Sequence, residues 1–483
     1  MLTQAQSANV AYFVSPVGSD ANNGSLTAPF ASLDHAWRQI PMDEPLSTPI
    51  TITLLEGTYD EDSLPQYWER RYGTPSAPIV VQGAEGASVR LTGDINAYEV
   101  TYITFRNLHI QTGSDVFHCE RCDHVTLESN TLIGADPETY AAQETVKFNQ
   151  SSNVILLSND ISGAWDNAVD FVAVQNISVR ANHIHNAGDW CIYAKGGSAN
   201  VIIVDNLIED CGTGGFTAGQ GTGFQYMVEP YLHYEAYNVV VANNLIRDTY
   251  GAGLGVMGGY NIIMAHNTLI RVGARSHVLE VAFGQRSCDG EADDPTRATC
   301  AAYAAAGGWG NDAQPNEEAT NFVRIPNKHV YLLNNLIYNP APYRSTYQHL
   351  FVLPPYLGDA QTGASPKSAV VDDDLHIAGN WIWNGDPTMS LGIEDLGVCT
   401  DTNPTCNVAQ LFAQNSINTQ EPNLIEEDDV LKAVLPVPLA TIPMFSLADA
   451  PDAGVTLSTE VVNTLAQLAQ ASAHSNTVGR LKP

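Results

Sequence analysis

Three phrases decide the fold: Asn153-Val-Ile-Leu-Leu-Ser-Asn159, Asn176-Ile-Ser-Val-Arg-Ala-Asn182 and Asn200-Val-Ile-Ile-Val-Asp-Asn206. Between them lie shorter phrases rich in polar side chains, Glu144 to Asn149, Asp166 to Phe171 and Asp189 to Lys195. The closing asparagine recurs outward along the chain as Asn107, Asn130, Asn159, Asn182, Asn206, Asn244, Asn267, Asn335 and Asn380. The spacings are 23, 29, 23, 24, 38, 23, 68 and 45, so a base period near 23 is broken by insertions or unmarked turns. A fixed period of this size signals a solenoid. The alternation of Val154 with Leu156, Ile177 with Val179 and Val201 with Ile203 is that of a strand with one buried face. No long amphipathic run supports a helical repeat instead. Two or three short strands per period, punctuated by Asn and Gly, make one coil of a parallel β-helix. Stacked asparagines at one corner are expected to satisfy each other's amides and to take up the left-handed bend there.

The chain has 483 residues, too many for one compact core but natural for a fold that grows in one dimension. With 53 acidic and 21 basic residues the net charge is −32. That excludes nucleic acid and anionic membrane as expected partners. It also weighs against a polyanionic ligand unless local cations offset it. No apolar run approaches the ~18 residues of a membrane span. The opening Met1-Leu-Thr-Gln-Ala-Gln-Ser has neither the basic nor the apolar region of a signal peptide.

Tyr12 to Gly24 reads as a strand and a polar loop, and Pro29 to Ile40 as a short amphipathic helix with Ser32 as N-cap. A solenoid needs its open end covered, and this helix is the expected cap. The stretch YFVSPVGSDANNGSLTAPFASLDHAW resembles the opening of secreted right-handed parallel β-helix proteins of the pectate-lyase-like superfamily. The expected class is therefore all-β, a right-handed parallel β-helix solenoid with an N-terminal capping helix and long loop insertions. The insertions run from Thr222 to Tyr237, rich in aromatics, and from Arg286 to Asn321. Residues 1–421 are assigned to the β-helix and 422–483 to a tail packing on it, with a terminal helix near Ser458 to Ala473.

Cys288 with Cys300 and Cys399 with Cys406 bracket short loops and read as disulfides, which implies an oxidising compartment and a secreted or cell-surface protein. Cys119-Glu-Arg-Cys122 is half of a zinc signature with no second half at zinc spacing, so a local disulfide is preferred. Cys191 and Cys211 lie about one coil apart, and bridge and paired thiols both stay open.

In a β-helix, side chains of successive coils line up 4.7–4.9 Å apart, and that stacking makes sites. Lys147, Asp170 and Tyr193 are each 23 apart and should share an outward column, with Val146, Val169 and Ile192 facing in. Lys195 falls in the next outward column. Asp166 and Asp189 meet at the strand entrance near Glu144. Such a patch can be a merely solvated face with weak ion pairs. Aligned like charges, however, call for a cation, a shared proton or a catalytic purpose. Glu144, Asp166 and Asp189 are the expected metal ligands, for Ca²⁺. Both insertions are expected to wall this patch, and Gln220, His233 and Tyr234 to line it.

Ile192-Tyr-Ala-Lys-Gly-Gly-Ser198 resembles the segment that carries the base lysine in β-helical alginate and chondroitin lyases. The resemblance transfers to Lys195 alone. The arginine that follows one coil later in that family has no counterpart in Gly215 to Gly221, and Arg271 or Arg275 stands in for it. Three functions are open on these residues. The first is a lyase acting on a uronate polysaccharide, with Lys195, Tyr193, Asp170 and Lys147 as catalytic group. The second is a glycoside hydrolase using Asp166, Asp170 and Asp189. The third is a non-catalytic carbohydrate-binding or surface β-helix. The expected partner is a polysaccharide, and the expected state a monomer.

Overall fold

The computed structural model describes residues 9–481 except 142–143, 276, 289–294, 307–322, 326, 342, 344–350, 353–372, 386–407, 428–429, 435–437 and 451–454. The fold is the parallel β-helix read from the repeat. It divides into two compact units, one of Met1–Asp170 with Ile177–Ile184 and one of Phe171–Asn176 with His185–Pro483.

In the first unit three parallel sheets recur once per coil. The first sheet runs through Ile50–Leu54, Ile79–Gly83, Thr101–Arg106, Asp123–Glu128 and Ser152–Leu157. The second holds Ile95–Tyr98, Phe117–Glu120 and Val146–Asn149, and the third His109–Gln111, Thr131–Ile133 and Asp160–Ala164. Inward side chains stack along the axis: Trp37 on Trp68, Trp68 on Phe105, Phe105 on Phe117 and Phe117 on Phe148, with centroids 4.8 to 5.5 Å apart. The stack begins on the capping helix, Leu33–Trp37, whose Ser32 hydroxyl accepts the His35 N–H at 3.1 Å. Leu33, Ala36 and Trp37 are its buried face.

The corner asparagines form the expected column, but the left-handed bend lies elsewhere. Asn130 Nδ2 donates to Asn159 Oδ1 at 3.1 Å, and Asn159 Nδ2 to Asn182 Oδ1 at 2.9 Å. The same oxygens accept the backbone N–H of the preceding coil's asparagine, both at 2.9 Å. Positive φ falls one residue earlier, at Ser129, Ser158 and Ala181. Asn107 belongs to that bend and not to the column. The pairing of Arg106 with Glu128 sets Asn107 opposite Ser129 and Leu108 opposite Asn130.

The second unit has the same three sheets and an asparagine column of its own, running from Asn206 through Asn244, Asn267, Asn335 and Asn380 to Asn415, with amide contacts of 2.8–3.0 Å. A second column stands at another corner, Asn176, Asn200, Asn238 and Asn261, and here the asparagines themselves are left-handed. The outer face of the first sheet is apolar in this unit: Ile202, Val204, Val240, Ala242 and Ile263 pack under Val461, Leu465 and Leu468 of the helix Thr459–Ala473. Burial on both faces explains the unbroken apolar run Val239 to Ala242. The tail is therefore a cover, and Val430–Val434 pairs with both Ile425–Glu427 and Thr477–Gly479.

Cys119–Cys122, Cys191–Cys211 and Cys288–Cys300 are disulfides, and no cysteine among the described residues is free. Cys399 and Cys406 lie outside the described residues. The aromatic insertion differs from expectation. Phe224, Met227, Leu232 and Tyr234 form a small core with Ala199, Tyr237, Tyr260, Cys288 and Cys300. Its apolar content is used in packing on the first sheet, so Tyr234 is a core residue and not a ligand contact. Gly221–Gly223, Gly284–Ser287 and Val323–Ile325 join the two insertions in a three-stranded sheet.

Asn182→Ala removes the acceptor of a buried amide pair and should lower stability by about 1–3 kcal/mol. The shift of the urea midpoint measures it, and an unchanged midpoint would show that the column carries no stability.

Candidate functional site

In the first unit the outward side chain of Val146–Asn149 at its second position is Lys147. Its Nζ donates to Glu144 Oε1 at 2.7 Å and lies 3.3 Å from Asp170 Oδ2. The 23-residue stacking of Lys147 with Asp170 is therefore real contact. Both carboxylates are withdrawn from solvent: Asp170 is 0 % and Glu144 5 % exposed at the side chain, against 21 % for Lys147. The lysine is the accessible member. Burial first, and the Asp170 charge second, push the Glu144 carboxyl up to about 7, with Lys147 pulling the other way. Burial works against the Lys147 ammonium, but Asp170 and Glu144 outweigh it and hold it above the usual lysine range. Lys147 is thus a fixed cation and cannot serve as a base.

His118 pairs with Lys147 in register and contacts Asn149 Nδ2 at 3.2 Å. Burial, then the Lys147 charge, lowers its pKa, so it stands as a neutral imidazole beside the cluster. Sequence reasoning missed it because the coil between them has 29 residues instead of 23.

The second unit carries the other group. On Trp190–Lys195, Lys195 Nζ donates to Tyr193 Oη at 2.8 Å and lies 4.1 Å from its ring centroid. Tyr193 is buried and Lys195 partly exposed. Asp189 precedes them. Burial raises its pKa, while a hydrogen bond from Thr213 and the charges of Lys195 and Arg275 oppose. Arg275 is exposed, with its guanidinium 5.8 Å from the Tyr250 ring.

Behind Lys195 the chain turns through Gly196 and Gly197, at φ +71° and +83°, where a side chain would meet Ala173, Val172 and Leu232. The turn is pinned by Glu235, whose Oε2 accepts the Gly196 N–H at 2.8 Å and the Thr222 hydroxyl at 2.9 Å. Its other oxygen pairs with Arg286, which also donates to the Tyr234 carbonyl at 3.1 Å. Both charged side chains are wholly buried, so each depends on the other. The insertion between them and Lys195 hides this pair from a 23-residue ruler.

The other residues expected at the site are engaged elsewhere. Arg271 is held by Asp248 on the third sheet and is not part of the Lys195 group. His233 packs edge-on to Tyr234, and burial, then Arg286, pushes its imidazole down to about 4. Gln220 contributes its backbone carbonyl to Gln285. The three carboxylates expected to hold Ca²⁺ are each engaged within their own unit: Glu144 by Lys147, Asp166 by Asn167 at 2.8 Å, and Asp189 by Thr213. Calcium takes six to eight oxygens. Glu144 and its neighbour Asp170 already have an ammonium between them. The residues present do not fit a calcium site there.

Residues 89–229 match the family model described as right handed beta helix region. No curated protein matches the chain. Among solved structures it is similar to XylC in complex with xylose, 10 % identical over 88 % of this chain and 90 % of that one, with a TM-score of 0.47. It is similar to the Streptococcus pneumoniae surface protein and adhesin PfbA, 10 % identical over 72 % and 86 %, with a TM-score of 0.44. A third is the A-module of the Azotobacter vinelandii mannuronan C-5 epimerase AlgE4, 11 % identical over 70 % and 91 %, with a TM-score of 0.39. At this identity and TM-score these likenesses carry no chemistry over to this chain.

The raised Glu144 pKa ties stability to pH. Because it lies above the ordinary carboxyl value, the contribution of Glu144 to stability is complete below that value and lost as pH rises through about 7. Glu144→Gln removes that loss. The difference in melting temperature, variant minus parent, should become more positive between pH ~5 and pH ~8. A difference independent of pH would mean that Glu144 is an ordinary ionised carboxylate.

Proposed function

We propose that this protein is a carbohydrate-active enzyme that cleaves a uronate-containing polysaccharide by β-elimination at the Lys195–Tyr193 pair. The observation that carries this reading is the 2.8 Å contact between a partly exposed lysine amine and a phenol oxygen. Elimination needs one group to take a proton and another to return one, and the two must sit within reach of the same sugar bond. Lys195, in its neutral form, takes the proton α to the uronate carboxylate. The electron pair left behind forms the carbon–carbon double bond, the adjacent bond to the glycosidic oxygen breaks, and Tyr193 protonates the departing oxygen. The exposed Arg275 guanidinium offsets the substrate carboxylate, which an overall charge of −32 otherwise repels. The resemblance of Ile192 to Ser198 to the base-lysine segment of β-helical lyases supports the same assignment.

A second reading is favoured by one observation: a buried Glu144 whose carboxyl sits near 7 is suited to act as the general acid of a glycoside hydrolase. Its weakness is Asp170. A wholly buried carboxylate facing Lys147 is badly placed to activate water.

The test is product absorbance at the unsaturated sugar on polygalacturonate, alginate and chondroitin. Lys195→Ala should abolish it, Tyr193→Phe should lower kcat at least tenfold, and both variants should melt within a few degrees of the parent. Reducing-sugar release without absorbance, lost in Glu144→Gln and kept in Lys195→Ala, would replace the lyase by the hydrolase. Saccharide binding without any product would leave the non-catalytic reading.

A further inference from the structure

Lys195 ends its strand, and the next two residues, Gly196 and Gly197, both take left-handed φ, +71° and +83°. Neither has a side chain to restrict it, so the turn on its own is loose. Hydrogen bonds fix it. The Lys195 carbonyl accepts the Ser198 hydroxyl at 2.7 Å and the Ala173 N–H at 3.0 Å. Both glycine N–H groups go to one residue at the end of the aromatic insertion. Gly196 donates to Glu235 Oε2 at 2.8 Å, and Gly197 to the Glu235 carbonyl at 2.9 Å.

Glu235 is itself held from both insertions. Thr222 stands opposite Arg286 where Gly221–Gly223 pairs with Gly284–Ser287. Thr222 donates its hydroxyl to Glu235 Oε2 at 2.9 Å, and Arg286 pairs with Oε1. Arg286 Nη2 also donates to the carbonyl of Tyr234, the residue before Glu235, at 3.1 Å. Glycines make the room: a Cβ at Gly219 or Gly284 would come within 2.7 and 2.9 Å of the Glu235 side chain. Both charged side chains are 0 % exposed. The core beside them, Phe224, Leu232, Tyr234 and Tyr237, is largely apolar. An apolar pair of the same volume would close such a core as well or better. A carboxylate stands there instead, aimed at the backbone N–H that follows Lys195. A charged acceptor holds an N–H more tightly than a neutral one.

We propose that Glu235, braced by Arg286, is the positioning residue of Lys195, fixing the turn behind it so that Nζ stays on the Tyr193 oxygen. The two insertions thereby serve the proton transfer as a brace, while Glu235 and Arg286, sealed from solvent, never touch the saccharide. That purpose rests on the elimination reading of Lys195 and Tyr193, but the hold on the turn does not. Reactivity between fixed groups is steep in distance, and a misplacement of ~1 Å costs about a hundredfold.

The experiment compares two double variants of the full chain. Glu235→Leu with Arg286→Met removes the acceptor and both charges. Glu235→Gln with Arg286→Met removes the charges but keeps an acceptor for Gly196. Neither leaves a lone buried charge, so both should fold. Turnover is read as unsaturated-product absorbance on polygalacturonate, alginate and chondroitin. The freedom of Lys195 is read as its rate of acylation by an acetylating ester, followed by peptide mass spectrometry with Lys328 as internal reference. In the leucine variant kcat should fall about tenfold or more while KM stays within about twofold. Its Lys195 should acylate about threefold faster or more, as the turn opens. The glutamine variant should recover most of both. Parent-like kcat and acylation in the leucine variant overturn the proposal. Equal losses in the two variants also overturn it, since a pair that only fills the core makes no use of the acceptor. A parent that makes no unsaturated product ends the elimination reading instead, and the acylation rates then decide alone: faster in the leucine variant keeps the brace, unchanged removes it.

Discussion

The buried side-chain amide at the corner of each coil is the interaction on which the rest depends. A parallel coil stacks at one spacing, and every backbone N–H at a corner must find an acceptor that does not come from a strand. The asparagine Oδ1 supplies it to the coil before, while Nδ2 binds a carbonyl and the next asparagine. Each amide thus fixes the height of its neighbour. Once heights are fixed, outward residues one period apart must meet, and Lys147 reaches Asp170 for that reason alone.

The same constraint decides what was legible. The period and the apolar alternation follow from local chemistry, so the sheets, the capping helix and its Ser32 cap could be read directly. The handing of the bend to the residue before the asparagine could not. Serine, alanine, aspartate and histidine occupy that position in different coils, and no residue type marks it. The displaced Asn107 shows the risk: it has the right type and nearly the right spacing, but it sits at the bend.

Site residues were legible where a coil has its base length and obscure where it does not. Lys147, Asp170, Tyr193 and Lys195 lie in consecutive unbroken periods. His118 is offset by a long connection, and Glu235 by an insertion that returns to pin Gly196. Chemistry also misleads about burial. Aromatic residues in an insertion suggest an exposed wall, but Tyr234 lies in a core, because an insertion long enough to leave the coil needs apolar contacts of its own.

Charge arrangement supplies the last constraint. A chain of net charge −32 that stacks one coil on the next risks columns of carboxylates. Here the carboxylates are interrupted: Lys147 stands between Glu144 and Asp170, and Lys195 and Arg275 act on Asp189. Each local cation lowers the cost of keeping a carboxylate out of water, and each carboxylate fixes its cation as charged. Lys147, with two buried carboxylates against it, is committed to the ammonium form. Lys195 touches a phenol oxygen instead and is held from behind by a backbone turn. Two lysines of one fold thereby have different surroundings: one stands between two buried carboxylates, and the other lies against a phenol oxygen.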